Sequence, residues 1–195
     1  MTEFLEVVTS DELRCRLDGF PRTRLELISI DDAIGRYLAE DVLSPEDLPE
    51  HPRSTVDGYA VKASDTFGAS DSLPALLRLA GSVEMGKQPD TAVEIGAAVQ
   101  IPTGGFLPAG ADAVVMVEYT DRLDSFHIEV SKPVTLRANV LDQGEDIRKG
   151  APVLPSGRRI RPQEVGLLAA VGLTRVQVFR RARVAVVGFV SPPAL

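Results

Sequence analysis

The sequence has no tryptophan, one cysteine (Cys15), two histidines (His51 and His127) and only 5% aromatic residues. A single cysteine excludes an internal disulfide and fits a reducing compartment, so a cytoplasmic location is expected. Two histidines and one cysteine at unrelated spacings do not make a zinc site. With so few rings, the core must be assembled from Val, Leu, Ile and Ala. No apolar run approaches the length of a membrane span, and the N-terminus MTEFLEVV lacks the basic start of a signal peptide. No membrane partner is therefore expected. Basic residues are outnumbered, 21 against 28 acidic, for a net charge of −7. That argues against nucleic acid, whose phosphates require a dense basic face.

What is present is a chain of 195 residues, 44% hydrophobic, with 16 glycines and 14 prolines spread along it. Such a chain can form one ordinary domain or two small ones, and the punctuation suggests short strands joined by tight turns. Residues 4–8 and 25–28 read as strands. A helix is expected to start at Ser10 and to stop at Gly19, another to cover 31–37, and residues 38–42 to lead away as a strand. From 44 to about 137 the pattern becomes β-runs at 59–61, 75–83, 97–101, 113–117 and 126–130, with turns at 89–90, 108–110 and 121–125. That spacing suggests a compact barrel or sandwich. Later, Pro162 suits a helix's first turn, with Val165, Leu167, Leu168 and Val171 as its apolar face and Gly172 as its stop. Residues 175–179 alternate as a strand, and the apolar run 184–187 reads as a strand buried on both faces.

Three stretches carry the candidate chemistry: PRSTVDGYAVK at 52–62, IPTGGFLPAGADAVVMVE at 101–118, and NVLDQGEDIRKG at 139–150. Asp57-Gly58 is a turn-type dipeptide, since glycine accepts positive φ and aspartate bonds the backbone ahead of it. It places a carboxylate at a strand start beside the hydroxyls of Ser54 and Thr55. Taken alone it reads more readily as an ordinary polar turn. Thr103-Gly104-Gly105 can be a simple turn or a loop that cradles an anion through successive N–H groups. Glu145-Asp146 can be a solvated loop before Arg148 and Lys149. Asp57, Thr103, Glu145 and Asp146 offer hard oxygen ligands, suited to Mg²⁺ or an oxyanion and not to zinc.

Together, in this order, the three stretches resemble the molybdopterin molybdenumtransferase family (bacterial MoeA and the matching domain of gephyrin). The similarity runs from about residue 4 to about residue 187. The resemblance implies a mainly β, α+β chain: a small β-barrel at 44–138 inserted into an elongated mixed domain made from 1–43 and 139–180. Residues 1–20 would pack on a pterin-binding α/β domain, of which 181–195 would hold the opening strand and an aberrant tail. The chain is accordingly expected to be a truncated member. The resemblance further implies catalytic roles for Asp57, Thr103 and Asp146, substrate contacts from Ser54, Gly104, Gly105 and Glu145, and metal binding by Asp57. The substrates would be molybdate and adenylylated molybdopterin, with Mg²⁺ as cofactor, and the protein a homodimer.

Some residues depart from the family's usual pattern. His51-Pro52 stands where an aromatic and a polar residue are usual, and Arg181-Ala182-Arg183 replaces a basic-proline-basic step. Two functions remain open: molybdenum insertion, or a non-catalytic dimerising module that keeps the fold. The late arginines (Arg158, Arg159, Arg161, Arg175, Arg180, Arg181 and Arg183) read as solvated surface.

Overall fold

A computed structural model describes residues 8–21 and 23–185. In chain order the regular elements are α1 (Ser10–Asp18), β1 (Leu25–Ser29), β2 (Val42–Leu43), β3 (Arg53–Ser54), β4 (Gly58–Val61), β5 (Ala75–Ser82), β6 (Ala97–Ile101) and β7 (Ala113–Met116). They continue with β8 (Thr120–Arg122), β9 (His127–Val130), β10 (Val140–Leu141), β11 (Pro152–Leu154), α2 (Pro162–Ala170) and β12 (Arg175–Phe179). Strands predominate and the two helices are short. The chain divides into two compact units: residues up to Val42 together with those from Pro152, and Leu43–Ala151.

In the first unit, β1 pairs antiparallel with β12, from Leu25 opposite Phe179 to Ser29 opposite Arg175. Its core gathers Ile30, Leu38, Ile160, Leu168, Val176 and Val178. Helix α2 opens on Pro162, whose missing N–H costs nothing in a first turn, and stops before Gly172 at φ +78°. Of its predicted apolar face, Leu168 and the following Val171 are fully buried. Buried among them is one carboxylate. Glu164 accepts from the Arg161 side chain at 2.6 Å, from Arg158 Nη2 at 2.7 Å and from the Arg161 backbone N–H at 2.9 Å. The Arg161 guanidinium and those further donors pull its pKa from 4.5 to about 2.

Helix α1 starts on a capping box in which Thr9 Oγ1 accepts from the Glu12 N–H and Glu12 Oε2 accepts from the Thr9 N–H. None of its residues is buried, and Leu13, Leu17 and the following Phe20 are exposed. The helix expected at 31–37 contracts to a 3₁₀ turn, Ile30–Asp32. Gly35 takes φ +79° and donates to Ile160 O, so the chain turns out of the helix instead of completing a second turn. The strand expected at 38–42 reduces to isolated bridges at Tyr37 and Leu38, with β2 beginning only at Val42. Of the strand expected at 4–8, only Val8 lies within the described residues, and it is not in a strand. The run 184–187 ends outside them, and Val184 and Ala185 carry no strand.

The second unit is a six-stranded sheet in the order β7-β4-β6-β5-β9-β8. All its pairings are antiparallel except β5 with β6, which is parallel and interrupted between Leu79 and Gly81. The sheet curls into a half-barrel, and its two edge strands, β7 and β8, are joined by the short turn Val117–Tyr119. Side chains alternate between two cores. Tyr59, Val61, Ala98, Ala113 and Val115 enter one; Ala60, Val99, Ile101 and Val114 enter the other. Strand β8 was expected to be part of a turn; it is a strand because Thr120–Arg122 pairs with Ile128–Val130 across a hairpin. Residues 139–151 group with this unit. Their backbone is bonded to 44–55: β10 pairs with β3, and Ser44 N–H donates to Ala151 O.

Candidate functional site

The three candidate stretches meet on β3. Ser54 N–H donates to Gly105 O at 3.0 Å and Ser54 O accepts from Gly104 N–H at 2.8 Å. On the other side, Thr55 N–H donates to Asn139 O at 3.0 Å, and Val140 and Leu141 pair with Ser54 and Arg53. Leu107 N–H reaches Pro52 O at 2.9 Å, and the ring of Phe106 carries the edge of His51 and the guanidinium of Arg53. The approach to Asp57 is thus held in place from both flanks.

Pro102 to Gly105 forms a type II turn. Gly105 N–H donates to Pro102 O at 2.9 Å, and Gly104 takes the φ of +80° that the third position requires. Gly105 is needed for another reason: a Cβ there would lie 2.9 Å from both Ile101 Cγ1 and Pro102 O. The turn presents Thr103 to Asp57. Both the Thr103 N–H, at 2.7 Å, and its hydroxyl, at 2.8 Å, donate to Asp57 Oδ1. The backbone donor first, then the hydroxyl, hold the Asp57 pKa below the usual carboxylate value. Oδ2 accepts no hydrogen bond among the described residues. The carboxylate is exposed, fixed, ionised and open on one side.

Gly58, read from the sequence as a turn glycine, has a different cause. It sits inside β4 without positive φ, and a Cβ there would fall 1.9 Å from Val115 O on β7. Only glycine lets the two strands pair beside Asp57. A groove of about 580 Å³ opens there, lined by Asp57, Gly58, Tyr59, Ser82, Val83, Gln100, Ile101, Pro102 and Val117. Its polar groups are one carboxylate, a phenol, a hydroxyl and an amide.

The remaining predicted residues are placed differently. Ser54 is buried, and its hydroxyl donates to Val56 O at 2.6 Å within its own turn. The N–H groups of Thr103, Gly104 and Gly105 are engaged by Asp57, Ser54 O and Pro102 O, so this turn has no successive free N–H groups with which to cradle an anion. Glu145 closes its own loop, its Oε2 accepting from Asp142 N–H at 2.8 Å. Asp146 N–H donates to Leu48 O, while its exposed carboxylate has no partner among the described residues. Asp57 and Thr103 are in direct contact; Asp146 is bonded to neither.

One organiser was missed. Asp47 accepts from Lys149 N–H at 2.8 Å and from Gln143 Nε2 at 3.0 Å, and so shapes the loop that carries Asp146. Its only sequence signal is an aspartate in a proline-rich stretch, which is too common to select it. Among the described residues no three His, Cys, Asp or Glu side chains gather as a metal cage. The residues present fit Mg²⁺ only in a shared mode: Asp57 Oδ2 can supply one hard oxygen, and the remaining ligands would come from substrate and water.

The fold and this site define a class. Residues 4–172 match the family model for the MoeA N-terminal region, domains I and II, and the chain belongs to that family. Among curated proteins it is 40% identical over 156 residues to a putative molybdopterin biosynthesis protein of Methanocaldococcus jannaschii, covering 80% of this chain and 37% of that one. It is 34% identical over 160 residues to a molybdopterin molybdenumtransferase of Staphylococcus epidermidis, covering 82% and 38%. Among solved structures, a molybdopterin biosynthesis MoeA protein from Pyrococcus horikoshii superposes with a TM-score of 0.83 at 38% identity, over 90% of this chain and 45% of that one. The chain spans less than half the length of these relatives.

Proposed function

We propose that this chain serves molybdenum cofactor biosynthesis in the cytoplasm, as the part of a homodimeric molybdenumtransferase that carries Asp57, Thr103 and the Asp146 loop. The reaction is insertion of molybdate into adenylylated molybdopterin. The observation that carries this reading is the Asp57–Thr103 contact, made by two motifs 46 positions apart and joined on β3. Thr103 fixes one carboxylate oxygen and lowers the pKa, so Asp57, which lines the groove, keeps its charge over the whole physiological range with the other oxygen unbonded.

Both substrates are anions, so a bare carboxylate repels them. Asp57 Oδ2 is the atom that would hold Mg²⁺, whose positive charge would offset this repulsion. The chain's own part is positional. The type II turn sets Thr103, Thr103 sets Asp57, and Asp47 sets the loop on which Asp146 presents a second free carboxylate. Ser54, Gly104 and Gly105 support this geometry through the bonds they make within the turn and to β3. The test is restoration of molybdoenzyme activity in a strain lacking the transferase. Activity restored by the chain and lost in Asp57→Ala supports the reading; no restoration by a folded chain defeats it. A non-catalytic dimerising module is the second reading, favoured by the exposed Leu13, Leu17 and Phe20 of the α1 region. A folded dimer without activity supports that alternative.

A further inference from the structure

The late arginines are not one surface. Arg158 and Arg161 are bound to Glu164. Arg180, Arg181 and Arg183 instead join Arg24 and Thr23 around a cleft of about 370 Å³ in the first unit. It continues into a second hollow of about 400 Å³ that shares Thr23, Arg180 and Arg181 and reaches Tyr37. Among the described residues, no aspartate or glutamate lines either hollow. The further arginine in the second, Arg36, is neutralised by Glu26. Arg24, Arg180, Arg181 and Arg183 have no side-chain partner among the described residues, and Arg180 N–H donates to Arg24 O, which fixes two of the four side by side.

Four arginines that line one hollow, with no side-chain partner among the described residues, repel each other, and this happens in a chain whose net charge is −7. A small polyanion removes that repulsion. Guanidinium forks match tetrahedral oxyanions two oxygens at a time, and the hollow is within the size range of small-ligand sites. We propose that this arginine cleft binds a diphosphate group, either as free inorganic diphosphate or as part of a nucleotide, at a site separate from the Asp57 groove.

The experiment is calorimetric titration of the full chain with inorganic pyrophosphate and, separately, with ADP, at low and at physiological ionic strength. Saturable binding that weakens with salt is expected. Equal affinity for the two identifies the diphosphate alone as the ligand; tighter ADP binding identifies the nucleotide. The double variant Arg24→Gln/Arg181→Gln should weaken binding at least about tenfold, since each removes charge-assisted bonds. Neither side chain has a partner among the described residues, so the variant should melt as the parent does. The control Arg148→Gln/Lys149→Gln removes the same charge from the second unit and should leave affinity unchanged. Absence of saturable binding at low salt overturns the proposal, and so does equal weakening by the control. Asp57→Ala should also leave binding unchanged, so failure of the molybdenum reading and failure of this one are told apart.

Discussion

Each unit contains a carboxylate held below its ordinary pKa, and the two are held for different ends. In the first unit Glu164 is buried and every direction around it is filled, by Arg158, Arg161 and a backbone N–H. In the second, Asp57 is exposed and only Oδ1 is bound, by two donors of a single residue. A carboxylate with all its lone pairs engaged has nothing left to offer a ligand and serves the fold. One that is bound on a single oxygen is oriented and still reactive. A lowered pKa does not distinguish the two; the free oxygen does.

The comparison is tested first where the effect should be largest. Asp57→Ala should abolish restored molybdoenzyme activity, a loss of at least about a hundredfold if the group orients or activates substrate. Its melting temperature should stay that of the parent, because the side chain is exposed. A large fall in stability would show that Asp57 serves the fold as Glu164 does.

Glu164→Ala should behave in the opposite way. It strands two guanidinium groups and a helix N-terminal N–H, so the melting transition of the first unit should drop on the order of 5 °C. The pH dependence has a definite sign. Because folding lowers the Glu164 pKa from 4.5 to about 2, its stabilisation is complete above 4.5 and is lost as pH falls toward about 2. Glu164→Gln should flatten the acid limb of the stability curve across that interval, as measured by urea denaturation at several pH values. An unchanged limb would break the assignment.

Thr103→Val sharpens the distinction further. The backbone N–H stays on Asp57 Oδ1 while the hydroxyl goes, so the Asp57 pKa should rise part of the way to its ordinary value. Carboxyl titration by NMR reads this directly. Activity should fall about tenfold, the scale of one hydrogen bond to a charged group. A pKa that does not move would mean the hydroxyl contributes nothing to holding the carboxylate.

Much of this was legible beforehand, and what was missed has a common cause. Strands β4, β6, β7, β9 and β12 declared themselves as β-branched and apolar runs, and Pro162 and Gly172 bracketed α2 as terminus signals do. Strand β8 did not, because Thr120-Asp121-Arg122 is polar and becomes a strand only by pairing with β9. The helix expected at 31–37 failed on Gly35, whose left-handed φ no local pattern announced. At the site, the residue types were visible and the partnerships were not. Nothing near Ser54 in sequence says that Gly105 and Asn139 will bond to either side of it. Gly58 looked right for the wrong reason, since the constraint on it comes from Val115, 57 positions away.

The smallest expected effect isolates the turn from the residue it presents. At Gly104 an added Cβ would meet only Met85 Cε at 3.5 Å, an ordinary contact, so space is not the obstacle. The obstacle is φ of +80°, a conformation that costs an L-residue about 1 kcal/mol. Gly104→Ala should therefore destabilise the second unit by about that amount in urea denaturation. The two donors on Asp57 Oδ1 belong to the neighbouring residue, so activity should fall less than in Thr103→Val. Gly105→Ala makes the contrast, because its Cβ would press on Ile101 and Pro102 O at 2.9 Å and must shift the turn. If Gly104→Ala cost more activity than Thr103→Val, the backbone itself would be a ligand contact. The functional element would then be the turn, and the carboxylate beside it a support.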